Sequence, residues 1–248
     1  MFWTHLIPGT RRGEDAEGLR NNIGVHELPR GVMFLVSALN ILARDLGFLQ
    51  SAETNEASLG NGEPIPLMSY GFIEYISGLS LKDFDALELG GGRSTPFWAK
   101  RMRRVFTLET DAALARRLKD EKVANLEVAH VQESDLAEAA GEHGSFDVVI
   151  IDAAANRVAC ARTALRVLKA GGFIVLDNSD WHPNAARVLR EGDLIQVDFH
   201  DFRPVHHYRC TTSLFLHPKF RARPRGERLP LPPLGGKTPT EPNRGDLP

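Results

Sequence analysis

Carboxylates and glycines in this chain gather where apolar runs end. The run Ala86-Leu87-Glu88-Leu89 leads into Gly90-Gly91-Gly92-Arg93-Ser94-Thr95-Pro96, after which Phe97 to Met102 resumes with helical spacing. Strand, tight turn and helix therefore follow one another. Gly90 and Gly92 free the backbone for left-handed φ and for close approach to a ligand, and the N–H groups opening the helix face that ligand too. Polar residues close four later runs: Glu109 after 104–108, Gln132 and Glu133 after 125–131, Asp152 after 146–151, and Asp177-Asn178 after 173–176. A single acid in such a place is commonly a helix cap or turn former. Repetition across five strand ends points instead to one shared site.

The elements that must position these residues alternate. Strands are predicted at 86–89, 104–108, 125–131, 146–152 and 173–176, with helical spacing at 97–102, 112–119, 160–168 and 183–190. The run 146–152 has no polar interruption between its two aspartates, as in a strand covered on both faces. Lys169-Ala170-Gly171-Gly172 reads as a helix stop. The last two strands, 194–199 and 211–216, are joined by 201–209. That connection is too short for a crossover helix, so the pair is antiparallel. The fold class is α/β, a doubly wound, mostly parallel sheet, in which ligands lie outside the carboxyl ends of the strands.

Ahead of this pattern, Phe34, Leu35, Ala38, Leu39, Leu42, Leu46 and Leu49 keep helical spacing. Two roles are open for that helix: docking on the main domain, or serving as a dimer or substrate-lid surface. Residues 51–62 are polar and carry glycine, which suggests a linker or lid-like loop, and 69–76 suggest a helix leading to the first strand. The expected division is an N-terminal extension over 1–66, a main domain over 67–218 and a Pro/Arg-rich tail without fixed structure over 219–248.

Glu109 stands downstream of the glycine loop at the distance where such folds place a carboxylate to accept hydrogen bonds from ribose hydroxyls. A nucleoside-containing cofactor follows, either a dinucleotide or S-adenosylmethionine. A dinucleotide loop wants a third Gly or Ala where this chain has Thr95. Taken together, Glu88–Ser94, Glu109, 146–152 and Leu168-Lys169-Ala170-Gly171-Gly172 resemble the motif series of class I S-adenosylmethionine-dependent methyltransferases, over about 86–216. The resemblance implies a seven-stranded sheet with its last strand reversed. It also implies that Gly90, Gly91, Gly92 and Ser94 meet the cofactor, Glu88 supports their loop, Glu109 holds the ribose, and Gln132 and Glu133 lie near the adenine. This family often has Asp after Gly at the third strand end, which this chain lacks.

Asp152 with Asp177 and Asn178 is similar to the set that metal-dependent O-methyltransferases use for Mg²⁺, and oxygen ligands suit a hard divalent ion. The lysine those enzymes carry three positions beyond the first Asp is absent, since Ala153-Ala154-Ala155-Asn156 follows. The other readings of Asp177 and Asn178 are turn formers and direct substrate contacts. Without a metal, the base comes from Asp177, from His206 or His207 in the hairpin loop, or from Asp180 or His182. Trp98 and Trp181 read as packing anchors.

The chain has 248 residues, 42% hydrophobic and 25% charged, with a formal net charge of -2. Such a balance gives no electrostatic pull toward nucleic acid or anionic membrane. No secretory leader or membrane span is read, and two cysteines, Cys160 and Cys210, suit a reduced compartment; the expected location is cytoplasmic. The expected function is methyl transfer to a hydroxyl of a small molecule. A nicotinamide-dependent oxidoreductase and a non-catalytic nucleoside-binding module are the alternatives, and the early helix is a candidate homodimer surface.

Overall fold

The computed structural model describes residues 29–226 and 231–236; the early part of the expected extension and most of the expected tail lie outside them. Two compact units divide after Ile41. In the first, α1 (Arg30–Asn40) buries none of its residues. Among the described residues no single helix is long and apolar enough to cross a membrane.

The second unit begins with α2 (Phe48–Thr54) and α3 (Tyr70–Ser77), then β1 (Leu79–Ser80) and β2 (Asp85–Leu89). There follow α4 (Ser94–Arg101), β3 (Arg104–Glu109), α5 (Ala112–Asp120), β4 (Leu126–His130), α6 (Leu136–Glu142) and β5 (Phe146–Ile151). The chain continues with α7 (Arg157–Val167), β6 (Leu168–Leu176), α8 (Pro183–Arg190), β7 (Ile195–Arg203), β8 (His206–Leu216) and β9 (Arg223–Pro224). The main sheet has seven strands in the order β4-β3-β2-β5-β6-β8-β7. Only β8 runs against its neighbours, pairing antiparallel with both β6 and β7. Order reverses between β2 and β5, which lie side by side in parallel. The expected doubly wound sheet is present.

Alternation along the central strands explains the two layers. Val149, Ile151, Ile174 and Leu176 join one apolar cluster with Leu136, Cys160, Ala161, Ala164 and Leu189, which come from α6, α7 and α8. Val148, Ile150, Phe173 and Val175 join the opposite cluster with Phe72, Ile73 and Ile76 of α3 and Phe97 and Trp98 of α4. Successive side chains on a strand point to opposite faces, so β-branched runs without polar breaks are what a sheet buried on both sides requires.

Three sequence expectations change. Residues 51–62 are not a plain linker: α2 occupies part of them, Ser51 and Ala57 are buried, and Ile65 and Met68 enter the core beyond them. The predicted loop over 201–209 is mostly strand, because β7 and β8 continue to a tight turn at Pro204-Val205, where Val205 takes φ 70°. Chain beyond 220 is also structured at first, since Arg223 and Pro224 pair with Ser80 and Leu79. Apolar periodicity cannot reveal a two-residue strand whose side chains face water.

Asp147, at the start of β5, ties that late segment down. Its carboxylate accepts from the Asp85 backbone N–H at 2.9 Å, from Lys169 at 3.2 Å and from Arg221. Burial pushes the carboxyl up, but these three donors together outweigh it and hold it below the ordinary value. Stability from this group is therefore present above the unfolded pKa and is lost as pH falls through the folded one. Replacing Asp147 with Ala strands the Asp85 N–H, and urea unfolding at neutral pH is expected to show a loss of roughly 1–3 kcal/mol. The gap between wild type and variant closes as pH falls below about 4.

Candidate active site

The turn from β2 to α4 lies flat on neighbouring strand ends. Gly90 has φ 90°, and a Cβ there would come 2.7 Å from the Asp152 carbonyl oxygen. A Cβ on Gly91 would lie 2.8 Å from Thr107 Cγ2. Close approach of backbone to its own sheet thus requires both glycines. Gly92 differs: nothing lies within 4 Å of the corresponding position, so it faces open space.

Glu88 fixes the loop from beneath. Its carboxyl is fully buried and accepts from Ser94 Oγ at 2.5 Å, Thr95 Oγ1 at 2.6 Å and Thr107 Oγ1 at 2.9 Å. Thr95 Oγ1 in turn accepts from the Gly92 N–H at 3.0 Å. Burial pushes the Glu88 carboxyl up to about 7, against the pull of the three hydroxyls. Support by Glu88 is as expected, whereas Ser94 needs correction. Its hydroxyl turns inward to Glu88, so it braces the loop from below.

Glu109 ends β3 and turns back toward the same loop. Oε2 accepts from the Gly91 N–H at 2.6 Å, and Oε1 accepts from the Asp111 N–H at 2.6 Å. Oε1 also accepts from Thr110 Oγ1 at 3.5 Å, so the clearest acceptor position left for a ribose hydroxyl is the second lone pair of Oε2. Gln132 and Glu133 follow β4 and are exposed at the adjoining strand end, where the Val131 N–H donates to the Glu109 carbonyl at 3.0 Å. Geometry therefore fits the adenosyl part of S-adenosylmethionine: an open glycine at Gly92, a carboxylate on the Gly91 N–H beside it in the chain, and polar residues on the next strand.

At the ends of β5 and β6 two arginines hold the acids. Arg157, at the start of α7, is buried; its Nε donates to the Ala153 carbonyl at 2.6 Å and its Nη1 to the Asp177 carbonyl at 2.5 Å. Arg157 Nη2 lies 3.1 Å from Asp152 Oδ1. Asp177 is buried, accepting from Thr212 Oγ1 at 2.7 Å and lying 3.7 Å from Arg203 Nη1. With its amide oriented to suit both neighbours, Asn178 donates to Asp177 Oδ2 at 2.8 Å and accepts from Arg203 at 2.6 Å. Burial raises the carboxyls of both Asp152 and Asp177.

This arrangement corrects the expected Mg²⁺ set. Asp152, Asp177 and Asn178 are adjacent, but guanidinium groups and a hydroxyl take the positions a divalent ion would need, so the donors do not fit it. Asp177 is likewise not an exposed base; it joins β6 to β8. Arg203 sits in the hairpin and gives no sequence signal. Arg157 gives one, since a cation in the first turn of a helix opposes the helix dipole unless something else holds it.

The hairpin carries the remaining candidates. β8 pairs with the end of β6 through Ser213, so the chain before Thr212 projects past the carboxyl ends of the parallel strands. His206, half-buried, and His207, exposed, are there, with the His206 ring stacked on Tyr208 at 5.2 Å. Burial, Arg203 and His207 all lower the His206 pKa, which keeps the imidazole neutral at neutral pH. Burial and Arg157 lower His182 as well. Asp180 accepts from the Thr211 N–H at 3.1 Å and so serves the hairpin. Trp98 is the buried anchor expected, but Trp181 is 55% exposed and tilts against Tyr208 with ring centroids 5.8 Å apart.

Residues 87–176 match the model of a family described as a methyltransferase domain. That match covers about a third of the chain, from β2 to β6, and includes the glycine loop, Glu88 and Glu109. The chain is similar to that family over the residues that form the loop and place Glu109, the part whose geometry fits S-adenosylmethionine. No curated protein matches the chain. Among solved structures, a precorrin-6y C5,15-methyltransferase from Geobacter metallireducens aligns at 17% identity over 61% of this chain and 90% of that one, with a TM-score of 0.49. The N-methyltransferase NodS from Bradyrhizobium japonicum, in complex with S-adenosyl-L-homocysteine, aligns at 14% identity over 57% of this chain and 79% of that one, with a TM-score of 0.43. A fibrillarin from Aeropyrum pernix with natively bound S-adenosyl-L-methionine aligns at 13% identity over 55% of this chain and 68% of that one, with a TM-score of 0.42.

Two outcomes test the polar interior of this site. Glu88 has a folded pKa above its unfolded value, so the native state holds the extra proton and this group's contribution falls as pH rises from about 4.5 to 7. A Glu88→Gln variant removes that titration. Its stability relative to wild type, followed by urea unfolding, is expected to rise by roughly 2–3 kcal/mol across the same interval. Calorimetric titration of the chain with MgCl₂ is expected to give no saturable heat; a stoichiometric site removed by Asp177→Ala would contradict the assignment of these acids to Arg157 and Arg203.

Proposed function

We propose that this protein transfers the methyl group of S-adenosylmethionine to a hydroxyl of a small molecule. The observation carrying the cofactor half is the Glu109 carboxylate, which faces the glycine loop from the end of β3 with acceptor capacity left over. A sulfonium already supplies the electrophile. The protein's task is to align the nucleophile with the methyl–sulfur bond and exclude water.

Choice of oxygen rests on the hairpin. A hydroxyl gives up a proton as it attacks, and a neutral imidazole beside the rim can take it. His206 is such a group, and His207 is its neighbour on the same strand. Absence of a strong net charge favours a small acceptor over a nucleic acid.

Calorimetry with S-adenosylmethionine, S-adenosylhomocysteine and NADH tests the first half. Binding of the two sulfur nucleosides, and a loss of about 10- to 100-fold in Glu109→Ala, is the expected result. Preference for NADH would favour the oxidoreductase reading. For the second half, release of S-adenosylhomocysteine is measured over a panel of phenols, sugars and amines. Turnover confined to hydroxylated compounds, with kcat reduced in His206→Asn or His207→Asn and cofactor affinity unchanged, is expected; turnover of amines alone would overturn it.

A further inference from the structure

We propose that the cavity between the first turns of α7 and α8 receives an anionic group, a carboxylate or a phosphate, borne on a ring of the methyl acceptor. This rests on the methyl-transfer reading for the word acceptor, but not for the anion. The cavity has a volume of about 490 Å³ and is lined by Arg157, Arg162, Trp181, His182 and Asn184 among others, with no Asp or Glu in its wall. It opens at the carboxyl ends of β5 and β6, where Asp152 and Asp177 meet Arg157. The neighbouring Asp180 carboxylate is turned away to the Thr211 N–H.

Charge in this wall is one-sided, and among the described residues only Arg157 has partners in the fold that account for it. α7 and α8 both present their N-terminal turns to the cavity, and neither has an acid in its first turn. Guanidinium groups at the positive end of a helix are unfavourable, and a bound anion reverses the sign of that interaction. Arg157 is already offset by Asp152 and by carbonyl oxygens, so it is held in place and is not the anion's donor. Arg162, one and a half turns further along α7, is exposed, and among the described residues no carboxylate lies within ion-pair distance of it. A mobile fork donor of this kind matches two oxygens of a carboxylate or phosphate.

The other lining residue without a structural task is Trp181. More than half of its surface is exposed, and its indole leans on Tyr208 with the rings 39° apart. Large aromatic groups left open at a cavity mouth offer a stacking face for a ring. An anion on Arg162 with its ring on Trp181 would bring the ring beneath the hairpin that carries His206 and His207.

The test uses the full chain and isothermal calorimetry with phenyl phosphate, benzoate and benzyl alcohol, in buffer free of phosphate. Saturable binding of phenyl phosphate or benzoate, about tenfold or more tighter than benzyl alcohol, is expected. Arg162→Gln should lose most of that preference and Arg162→Lys should keep part of it, with S-adenosylhomocysteine binding unchanged in both. Trp181→Ala should weaken phenyl phosphate while leaving inorganic phosphate untouched, and the ratio of phosphate to carboxylate affinity tells which anion fits. Equal binding of the neutral alcohol, no saturable binding of either anion, or an unaffected Arg162→Gln each overturns the proposal. If anions bind and S-adenosylhomocysteine does not, the cavity stands and the methyl-transfer reading falls; the reverse result removes only the cavity.

Discussion

A carboxyl group sealed from water and surrounded by three hydroxyls decides the shape of the sheet's rim at the glycine loop. Glu88 would be costly in that position if ionised without partners. Ser94, Thr95 and Thr107 remove most of that cost, and in doing so they draw the first turn of α4 and the middle of β3 onto one point. The glycine loop has little choice of path once both of its flanks are fixed. Gly90 and Gly91 then lie against the sheet because no side chain would fit between. Gly92 is left facing outward as a result, and Glu109 closes on the Gly91 N–H from the adjacent strand.

A second polar system holds the other side of the rim. Arg157 bridges the ends of β5 and β6 through carbonyl oxygens, and Arg203 reaches Asp177 from the hairpin. Paired charges of this kind add little net stability relative to apolar packing, though removal of one partner is severe. Their structural effect is positional. They join two parallel strands to the reversed one at the carboxyl ends of β5 and β6, and they neutralise acids that would otherwise attract a metal.

How much of this was legible depends on whether a feature has a period. The doubly wound sheet was visible because runs such as 146–151 are apolar without interruption, and its reversed strand because nine residues cannot carry a crossover. Glu88 and Glu109 could be placed because each stands at a fixed position relative to the glycines. Side-chain direction was not legible: Ser94 faces inward and Trp181 outward, and neither follows from type or spacing. Arg203 was also hidden, since its partners, Asp177 and Asn178, come from another strand. Short pairings such as β1 with β9 leave no pattern at all, because two residues cannot show alternation.

The reversed strand is indexed by its own side chains. Thr212 reaches Asp177 on one side of the sheet, and Ser213 reaches Ser179 and Asp198 on the other. Alternation is strict in a strand, so sliding β8 by a single residue would swap those two faces. A slip that brings Ser213 opposite Asp177 would keep a hydroxyl there, but Leu214 would then take the place of Ser213 beside Ser179 and Asp198 and could not donate. Apolar neighbours alone would tolerate such a slip far better. An extra residue at the Pro204-Val205 tip leaves this register alone, whereas one inserted between Tyr208 and Thr212 would break it and carry both histidines out of place.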